Sequence, residues 1–326
     1  MTELGEPFAA EQQQQQATIP RYMETPPFIP KQVSELLSAW SGIPPSAQVE
    51  HVVRVRDAAY ARCPYPCLGH FRFLALDLAA HRAYADHVLA PLLKEKKKDG
   101  KDDDNDDEPL FLDVGTCLGQ DVRKLAHDGV PAQRLWASDI VPELIELGFE
   151  LFRDADRMPR DHFLCPGDLL LCSSSDDAPG GDRLRVLDDR VTILHLTAVF
   201  HLFGHEDQKK VADRCLRLLR KNAAAAEPVL VLGGQVGSVE GGLAPDAEGN
   251  LSHRHMYRHN VETWKRMWEE VVQREEWRMR VKTLDVQSEL FRRGFDRVEE
   301  RVTFSPLDAN TTETIWHVFE VRISFF

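Results

Sequence analysis

The apolar positions from residue 109 onward alternate between two periods. The runs "LFLDV", "RLWASD", "HFLC", "VTILHL" and "PVLVLGGQV" are short and nearly continuous, as expected of strands that are buried on both faces. The segments that begin at residues 119, 142 and 205 instead have apolar residues three and four positions apart, which indicates helices. Strands that alternate with helices predict an α/β fold with a parallel sheet and helices on both faces.

The C-terminal third is less regular. The segment "NVETWKRMWEEVVQ" predicts an amphipathic helix capped by Asn260. "WRMRVKTLD", "FDRVEERVTF" and "TIWHVFEVRIS" have strand composition, and the last alternates well enough to predict a terminal strand. Which of the first two joins the sheet is left open.

The N-terminal part has a different organisation. Residues 1–30 are rich in Gln and Pro and predict a disordered or extended tail, with Tyr22 and Phe28 as its anchors. Residues 31–62 are expected to be helical, and a further helix is expected to run to about Leu93. The tract "KEKKKDGKDDDNDDE" at 94–108 and the polar segment at 173–182 predict solvated insertions. The predicted units are therefore the tail 1–30, a helical region 31–108 and an α/β core 109–326.

Composition excludes several classes of function. The chain has 326 residues and a formal net charge of −13, which disfavours nucleic-acid binding. No apolar run approaches the roughly 18 residues that a membrane helix needs. The six cysteines contain no CxxC pair and no zinc spacing, so we expect no metal and a reduced, cytoplasmic protein. The expected partner is a small molecule, and a homodimer is left open.

The stretch "PLFLDVGTCLGQD" places a glycine loop directly after a predicted strand. A P-loop needs a lysine after its last glycine, and none follows Gly119. A dinucleotide fingerprint needs a middle glycine, which is missing, and Asp121 would repel a pyrophosphate at the helix start. A cationic ligand has no such conflict. S-adenosylmethionine carries a sulfonium and an ammonium and no phosphate, so it tolerates both Asp113 and Asp121.

Two further aspartates end the next two strands. Asp139 could accept hydrogen bonds from both ribose hydroxyls, and Asp168 from the adenine amino group, with Leu169 on the adenine face. Ligands bind at the carboxyl ends of the strands in open parallel sheets, which favours this interpretation. The alternative is that each aspartate only caps a helix or a turn.

These motifs resemble those of the class I S-adenosylmethionine-dependent methyltransferases. More closely, "YPCLGHFRFL", "FLDVGTCLGQDVRKLAHDGVP", "ASDIVPELIELGFELFRDAD", "FHLFGHEDQKKVADRCLRLL" and "GGQVGS" are similar to the fungal methyltransferases of meroterpenoid clusters. The resemblance implies a Rossmann-like seven-stranded sheet and an N-terminal helical cover over the pocket. It also implies methylation of a small molecule, often the carboxylate of a farnesylated aromatic acid. The predicted cofactor site comprises Asp113, Gly115, Thr116, Cys117, Gly119, Asp139, Ile140, Asp168, Leu169 and Arg72.

The acceptor decides whether a base is needed. A carboxylate is already ionised near neutral pH, whereas a phenol would benefit from a histidine base. His201 and His259 are the candidate catalytic residues, with capping or packing as the alternative for each. His195 lies within a strand and is interpreted as a core residue. Arg72 would pair with the carboxylate of the cofactor or make an ordinary ion pair. The predicted substrate-binding residues are Tyr65, Phe200, Gln235 and Trp264, although aromatic residues at helical spacing often only fill a core.

The sequence thus predicts an S-adenosylmethionine-dependent O-methyltransferase that forms a methyl ester on an apolar secondary metabolite. N- or C-methylation stays open, as does a protein that binds the cofactor without turnover. A nicotinamide enzyme is disfavoured by the missing middle glycine.

Overall fold

The computed structural model describes residues 22–94, 108–171, 181–221, 228–244, 256–296, 301–305, 307 and 314–326. The tail up to residue 21, most of the charged tract 94–108 and most of the segment 173–182 lie outside the described residues. Of the two predicted anchors of the tail, Tyr22 donates its hydroxyl to Asp57 at 2.9 Å and packs against Tyr60.

The N-terminal region is helical, but in shorter pieces than predicted. Helices α1 (Lys31–Ala39) and α2 (Pro45–Arg62) are separated at Gly42, which has a φ of 64°. After α3 (Pro66–Gly69) and a 3₁₀ turn, the further helix predicted to run to about Leu93 is present as a π-helix at Tyr84–Leu89 that continues into α4 (Ala90–Leu93). Phe71 and Leu76 flank the 3₁₀ turn in the left-handed region, which a continuous helix does not allow.

The α/β core follows the predicted alternation. Its elements in chain order are β1 (Leu110–Val114), α5 (Gln120–His127), β2 (Leu135–Ser138), α6 (Pro142–Phe152), β3 (Phe163–Leu164), β4 (Val191–His195), α7 (His205–Leu218) and β5 (Val229–Val236). These five strands are parallel and lie in the order β3-β2-β1-β4-β5. Their carboxyl ends therefore share one edge of the sheet.

The C-terminal elements complete the sheet. A hairpin of β6 (Gly242–Leu243) and β7 (Tyr257–Arg258) precedes α8 (Val261–Val272) and the strands β8 (Val281–Asp296), β9 (Arg301–Ser305) and β10 (Thr314–Phe325). The terminal strand β10 lies antiparallel between β5 and β8, and β9 pairs with the far end of β8. The two strand candidates that were left as alternatives thus both belong to the sheet, which has the seven expected strands and β9 as an eighth.

Successive side chains of β10 point to opposite faces of the sheet, and each face packs against a different part of the chain. His317 and Phe319 face α8, where each contacts the ring of Trp264. Trp316 and Glu320 face the N-terminal region, where they contact Arg72 and Arg82. The helical region thus covers the face of β10 opposite α8, next to the carboxyl ends of β4 and β5. No helix among the described residues is long and apolar enough to cross a membrane.

Candidate active site

The glycine loop turns its backbone donors inward. Gly115 and Thr116 both donate their N–H groups to the carbonyl oxygen of Ser138 at 2.9 Å. Cys117 donates its N–H to Oδ2 of Asp139, also at 2.9 Å. These amides hold the loop against the end of β2 and do not form a cradle for a phosphate. This geometry agrees with the sequence, which argued against both a P-loop and a dinucleotide-binding loop.

Close packing explains both glycines of this loop. Gly115 has a φ of 70°, and a Cβ there would lie 2.6 Å from Cγ2 of Val199. Gly119 has a φ of 69°, and a Cβ there would lie 2.1 Å from Nη1 of Arg123. Between them Cys117 also adopts a positive φ of 55°. The loop is therefore tight and pre-formed, with little room for larger side chains at either glycine.

Asp113 is part of a buried charged cluster. Its Oδ1 accepts from Nδ1 of His195 at 2.7 Å, and its Oδ2 accepts from the hydroxyl of Thr116 at 2.6 Å. The other ring nitrogen of His195 bonds Thr197 at 2.8 Å. Burial by itself lowers the pKa of His195, but the charge of Asp113 and its hydrogen bond outweigh burial and hold this pKa above its usual range. His195 is buried, as interpreted from the sequence, but it also lies beside the cofactor loop.

Asp121 completes this cluster from the first turn of α5. Ligand atoms of Asp113, Asp121 and His195 lie within 4.8 Å of one another. We assign no metal here, because both ring nitrogens of His195 already have hydrogen-bonding partners. Burial raises the pKa of Asp121 to about 7, opposed by His195 and reinforced by Asp113. The carboxyl group of Asp121 is therefore partly protonated near neutral pH, and a bound cation would favour its ionised form.

The other two aspartates cap turns: Asp139 directly follows β2, whereas Asp168, which was predicted to end the third strand, lies beyond the short β3 (Phe163–Leu164). Asp139 accepts from the N–H groups of Cys117 and Val141, and burial raises its pKa to about 6. Asp168 accepts from the N–H of Leu170 at 2.8 Å. Both residues therefore cap turns, and whether either also binds a ligand is not decided by these hydrogen bonds. The contacts of Asp139, Asp168 and the buried Leu169 with a cofactor stay predictions. Ile140, the residue after Asp139, is 56% exposed.

The N-terminal region reaches this rim through Tyr65. Burial raises the pKa of the Tyr65 hydroxyl, and the nearby Cys63 and Asp139 raise it further. Burial also raises the pKa of the Cys117 thiol, and the neighbouring Cys67 and Cys63 raise it further. The "CPYPC" segment therefore lies over the glycine loop. The five cysteines that the structure describes are all free thiols.

Arg72 lies in the same cover, next to His201. Its guanidinium stacks on the ring of Trp316, with 4.9 Å from Cζ to the ring centre. Burial lowers the pKa of Arg72 to about 10, helped by the neighbouring Arg293. The contacts of the described residues include no carboxylate that pairs with Arg72, since the nearby Asp77 pairs with Arg293. The predicted ordinary ion pair of Arg72 is therefore not formed within the described chain.

Arg258 approaches His201 from the hairpin and was not predicted from the sequence. Burial, together with the neighbouring charges of Arg72 and Arg258, lowers the pKa of His201 to about 3. Burial also lowers the pKa of Arg258, for which the described residues provide no ion pair. The Nδ1 atom of His201 is buried without a partner among the described residues. Two cations thus flank one neutral histidine beyond the ends of β4 and β5.

Comparison with known proteins identifies the class of enzyme. A family model described as meroterpenoid methyltransferase N-terminal domain matches residues 21–74, which include α1 to α3. The O-methyltransferase phiE of a fungal species (strain ATCC 74256) is 32% identical over 87% of this chain and 86% of its own length. The O-methyltransferase atr3 of Stereocaulon alpinum is 33% identical over 81% and 68%. The chain belongs to this family of fungal secondary-metabolite methyltransferases.

Another relative is the asnovolin E/chermesin D methyltransferase nvfJ of Aspergillus novofumigatus, 28% identical over 72% of this chain and 74% of its own length. The predicted enzyme class is therefore confirmed, and S-adenosylmethionine is the methyl donor of that class. The match to residues 21–74 also shows that the α1–α3 region belongs to the family and is not an unrelated extension.

The remaining predicted acceptor residues of this methyltransferase lie deeper than expected. Phe200 and Trp264 are fully buried, and their rings meet edge to face at 4.9 Å. His259 is also fully buried, and its Nδ1 bonds the hydroxyl of Thr263 at 3.0 Å. Gln235 faces His317 on β10. These side chains line the interior behind Arg258. Their direct contact with an acceptor stays a prediction, and their geometry indicates support of the hairpin and α8.

The sequence contained one signal for Arg258. It directly precedes His259 in "MYRHNVETW", the segment that was singled out for its histidine. The hairpin partner of Arg258 is Gly242, at which a Cβ would meet no atom within 4 Å. Open space beside a cation such as Arg258 is typical of a binding site. The sequence alone does not show this space, because it depends on the pairing of β6 with β7.

Proposed function

We propose that this methyltransferase transfers a methyl group from S-adenosylmethionine to the carboxylate of an apolar small molecule and so forms a methyl ester. The observation that carries the proposal is that two cations near His201, Arg72 and Arg258, form no ion pair with the described residues. The cofactor and the acceptor each bring one carboxylate. Two partly buried cations without acidic partners in the described chain match those two charges, since a charge removed from water needs a partner.

The residues around the glycine loop fit the cofactor. When bound, S-adenosylmethionine supplies a methyl group on a positively charged sulfur. The buried carboxylates of Asp113 and Asp121 suit a cationic ligand, and the loop amides offer no competing phosphate site. In our proposal Asp139 accepts the ribose hydroxyls with its remaining lone pairs, and the exposed Ile140 packs on the adenine. Arg72 keeps its predicted role as partner of the cofactor carboxylate.

Arg258 then holds the acceptor carboxylate. A guanidinium can bind both oxygens of a carboxylate and so fix its orientation, and orientation is the main requirement of a methyl transfer. His201 stays neutral, because its pKa of about 3 lies far below the working pH. Its free Nδ1 supplies a hydrogen bond to the acceptor. A base with so low a pKa removes the proton of a phenol poorly, which favours a carboxylate acceptor over a phenol.

An apolar rim surrounds this position and suits an apolar acceptor. Asn260 donates to the carbonyl of Val239, and Tyr257 of the hairpin donates its N–H to Phe203. The first bond joins the start of α8 to the loop between β5 and β6, and the second joins the hairpin to the turn after β4. These segments carry four exposed aliphatic side chains, Leu202, Val239, Leu243 and Val261. Exposed apolar groups near a cation would receive an amphipathic acid. A meroterpenoid-type acid has this character, and the relative nvfJ is a methyltransferase of asnovolin E and chermesin D.

The direct test uses methyl-labelled S-adenosylmethionine and a farnesylated aromatic acid that carries both a carboxyl and a phenol. Mild base should release the label as methanol, because an ester hydrolyses and an ether does not. Label that survives this treatment would overturn ester formation and indicate O-methylation of the phenol, or N- or C-methylation.

Variants distinguish the proposed roles of Arg258 and Arg72. Arg258→Gln should raise KM for the acid at least about tenfold, which is roughly 1.4 kcal/mol of binding, and leave the Kd of S-adenosylhomocysteine unchanged. Arg258→Lys should lose less, since it keeps the charge without the planar fork. Arg72→Gln should instead weaken S-adenosylhomocysteine binding. Arg266→Gln, at an exposed position on α8, is the control and should change neither value.

A further inference from the structure

Four buried polar atoms in the region behind Arg258 have no hydrogen-bonding partner among the described residues. They are Oε1 of Gln235, Nε2 of His259, Nε1 of Trp264 and Nε2 of His317. The four side chains are between 0% and 1% exposed. Native proteins pair almost all buried polar atoms with protein or with ordered water, so four unpaired atoms in one place call for a ligand that pairs them.

The four side chains are neighbours in the interior. The ring centre of Trp264 lies 5.3 Å from that of His259 and 5.4 Å from that of His317. Gln235 and His317 stand directly opposite each other on β5 and β10, and Nε2 of Gln235 lies 3.3 Å from Nδ1 of His317. The cluster therefore joins three elements: β5, β10 and the segment that leads from β7 into α8.

We propose that Gln235, His259, Trp264 and His317 enclose a binding site for one ordered water molecule. Such a site needs two to four polar partners, and this one offers four. Two of them are donors. Trp264 Nε1–H only donates, and Nε2 of His317 carries the proton because its Nδ1 accepts from the Gln235 amide. Oε1 of Gln235 is an acceptor, so a single water can accept two hydrogen bonds and donate at least one.

Size and charge favour water over any larger or charged ligand. A Cβ at Gly237 would lie 2.9 Å from Cβ of His317 and 3.3 Å from the carbonyl oxygen of His259, so the chain is closely packed beside these two histidines. Burial lowers the pKa of both His259 and His317 to about 3, so the rings are neutral and attract no counter-ion. Each donor of the water is matched by a neutral acceptor.

The water has a definite structural task. His259 directly follows Arg258, and its Nδ1 is fixed by Thr263 at 3.0 Å. A water on its Nε2 would bind the same ring to β5 and β10, and thereby hold the segment that carries Arg258. The four residues are thus positioning residues, and this inference stands whether or not Arg258 binds an acceptor carboxylate.

A high-resolution crystal structure of the full chain tests the proposal. The expected result is a density peak within about 3.2 Å of at least two of the four atoms. A dry interior, or side chains that turn to pair with one another, would overturn it. His317→Phe keeps a ring of similar size and removes both nitrogens, so the peak should disappear in that variant.

Nitrogen NMR of histidine-labelled protein provides a second test that needs no variant. His317 should carry its proton on Nε2 at neutral pH, with Nδ1 unprotonated. A proton on Nδ1 would remove one of the two donors and contradict the proposed hydrogen-bonding pattern, whatever the stability of His317→Phe.

Discussion

The backbone N–H of Cys117 donates to the carboxylate of Asp139 at 2.9 Å. This bond joins the glycine loop after β1 to the end of β2, the two places that the proposed cofactor must contact together. The second oxygen of Asp139 accepts from Val141 at 3.0 Å, at the start of α6. One carboxylate therefore fixes three chain segments.

Replacement of Asp139 should separate this structural role from its proposed ribose role. Asp139→Asn keeps one oxygen but loses the charge and one acceptor. We expect S-adenosylhomocysteine to bind at least about tenfold more weakly, equivalent to roughly 1.4 kcal/mol, measured by isothermal titration calorimetry. The melting temperature should fall as well, because a backbone amide loses its partner. Asp161→Asn, at an exposed turn, is the matched control. Unchanged affinity in Asp139→Asn would rule out the ribose role.

The packing of Gly115 predicts a specific rescue. Gly115→Ala should destabilise the protein by about 2–4 kcal/mol, from the contact with Val199 and from the positive φ. In the double variant with Val199→Ala the contact is gone but the φ strain stays. Urea unfolding of all four proteins should give a favourable coupling energy of about 1–2 kcal/mol. Strictly additive effects would show that Val199 does not limit the loop.

Much of this fold is predictable from local sequence. The positions of Asp113 near the end of β1 and of Asp139 directly after β2 follow from short apolar runs, because each run ends near a polar residue and parallel strands share one edge. Asp168 was predicted in the same way but lies beyond the short β3. The region 63–93 is not predictable in this way. Phe71 and Leu76 adopt left-handed conformations that their residue types disfavour, and tertiary packing imposes them.

The acceptor side depends on contacts between distant segments. Arg72 and Arg258 are 186 positions apart, by subtraction of their numbers, and reach His201 only through the cover and the hairpin. The pairing of Asp113 with His195 likewise depends on the register of β1 against β4. The burial of His195 was predicted correctly from its place in a strand, but its pairing with Asp113 could not be predicted from the sequence.

Asp121 should make stability fall as pH rises. Its folded pKa of about 7 exceeds the unfolded value near 4, so the unfolded chain releases this proton first. Its stabilising contribution is complete below about pH 4 and is lost as pH rises through about 7. Asp121→Asn cannot ionise and keeps an oxygen for the N–H of Leu78. The melting temperature of the variant relative to wild type should therefore rise from pH 4 to pH 8. A constant difference would show that Asp121 is ionised throughout.

The buried histidines should act in the opposite direction. The pKa of His317 is lowered to about 3 in the folded protein, against about 6.5 in the unfolded chain. The contribution of this group is complete above about pH 6.5 and is lost as pH falls toward 3, because only the unfolded chain takes up the proton. Between pH 7.5 and pH 5 the loss is about 2 kcal/mol from this residue. His317→Phe should lose correspondingly less stability over that interval in urea unfolding, whereas His87→Phe, at an exposed position, should follow wild type. Equal losses in all three proteins would mean that His317 is protonated in the folded state or reaches solvent.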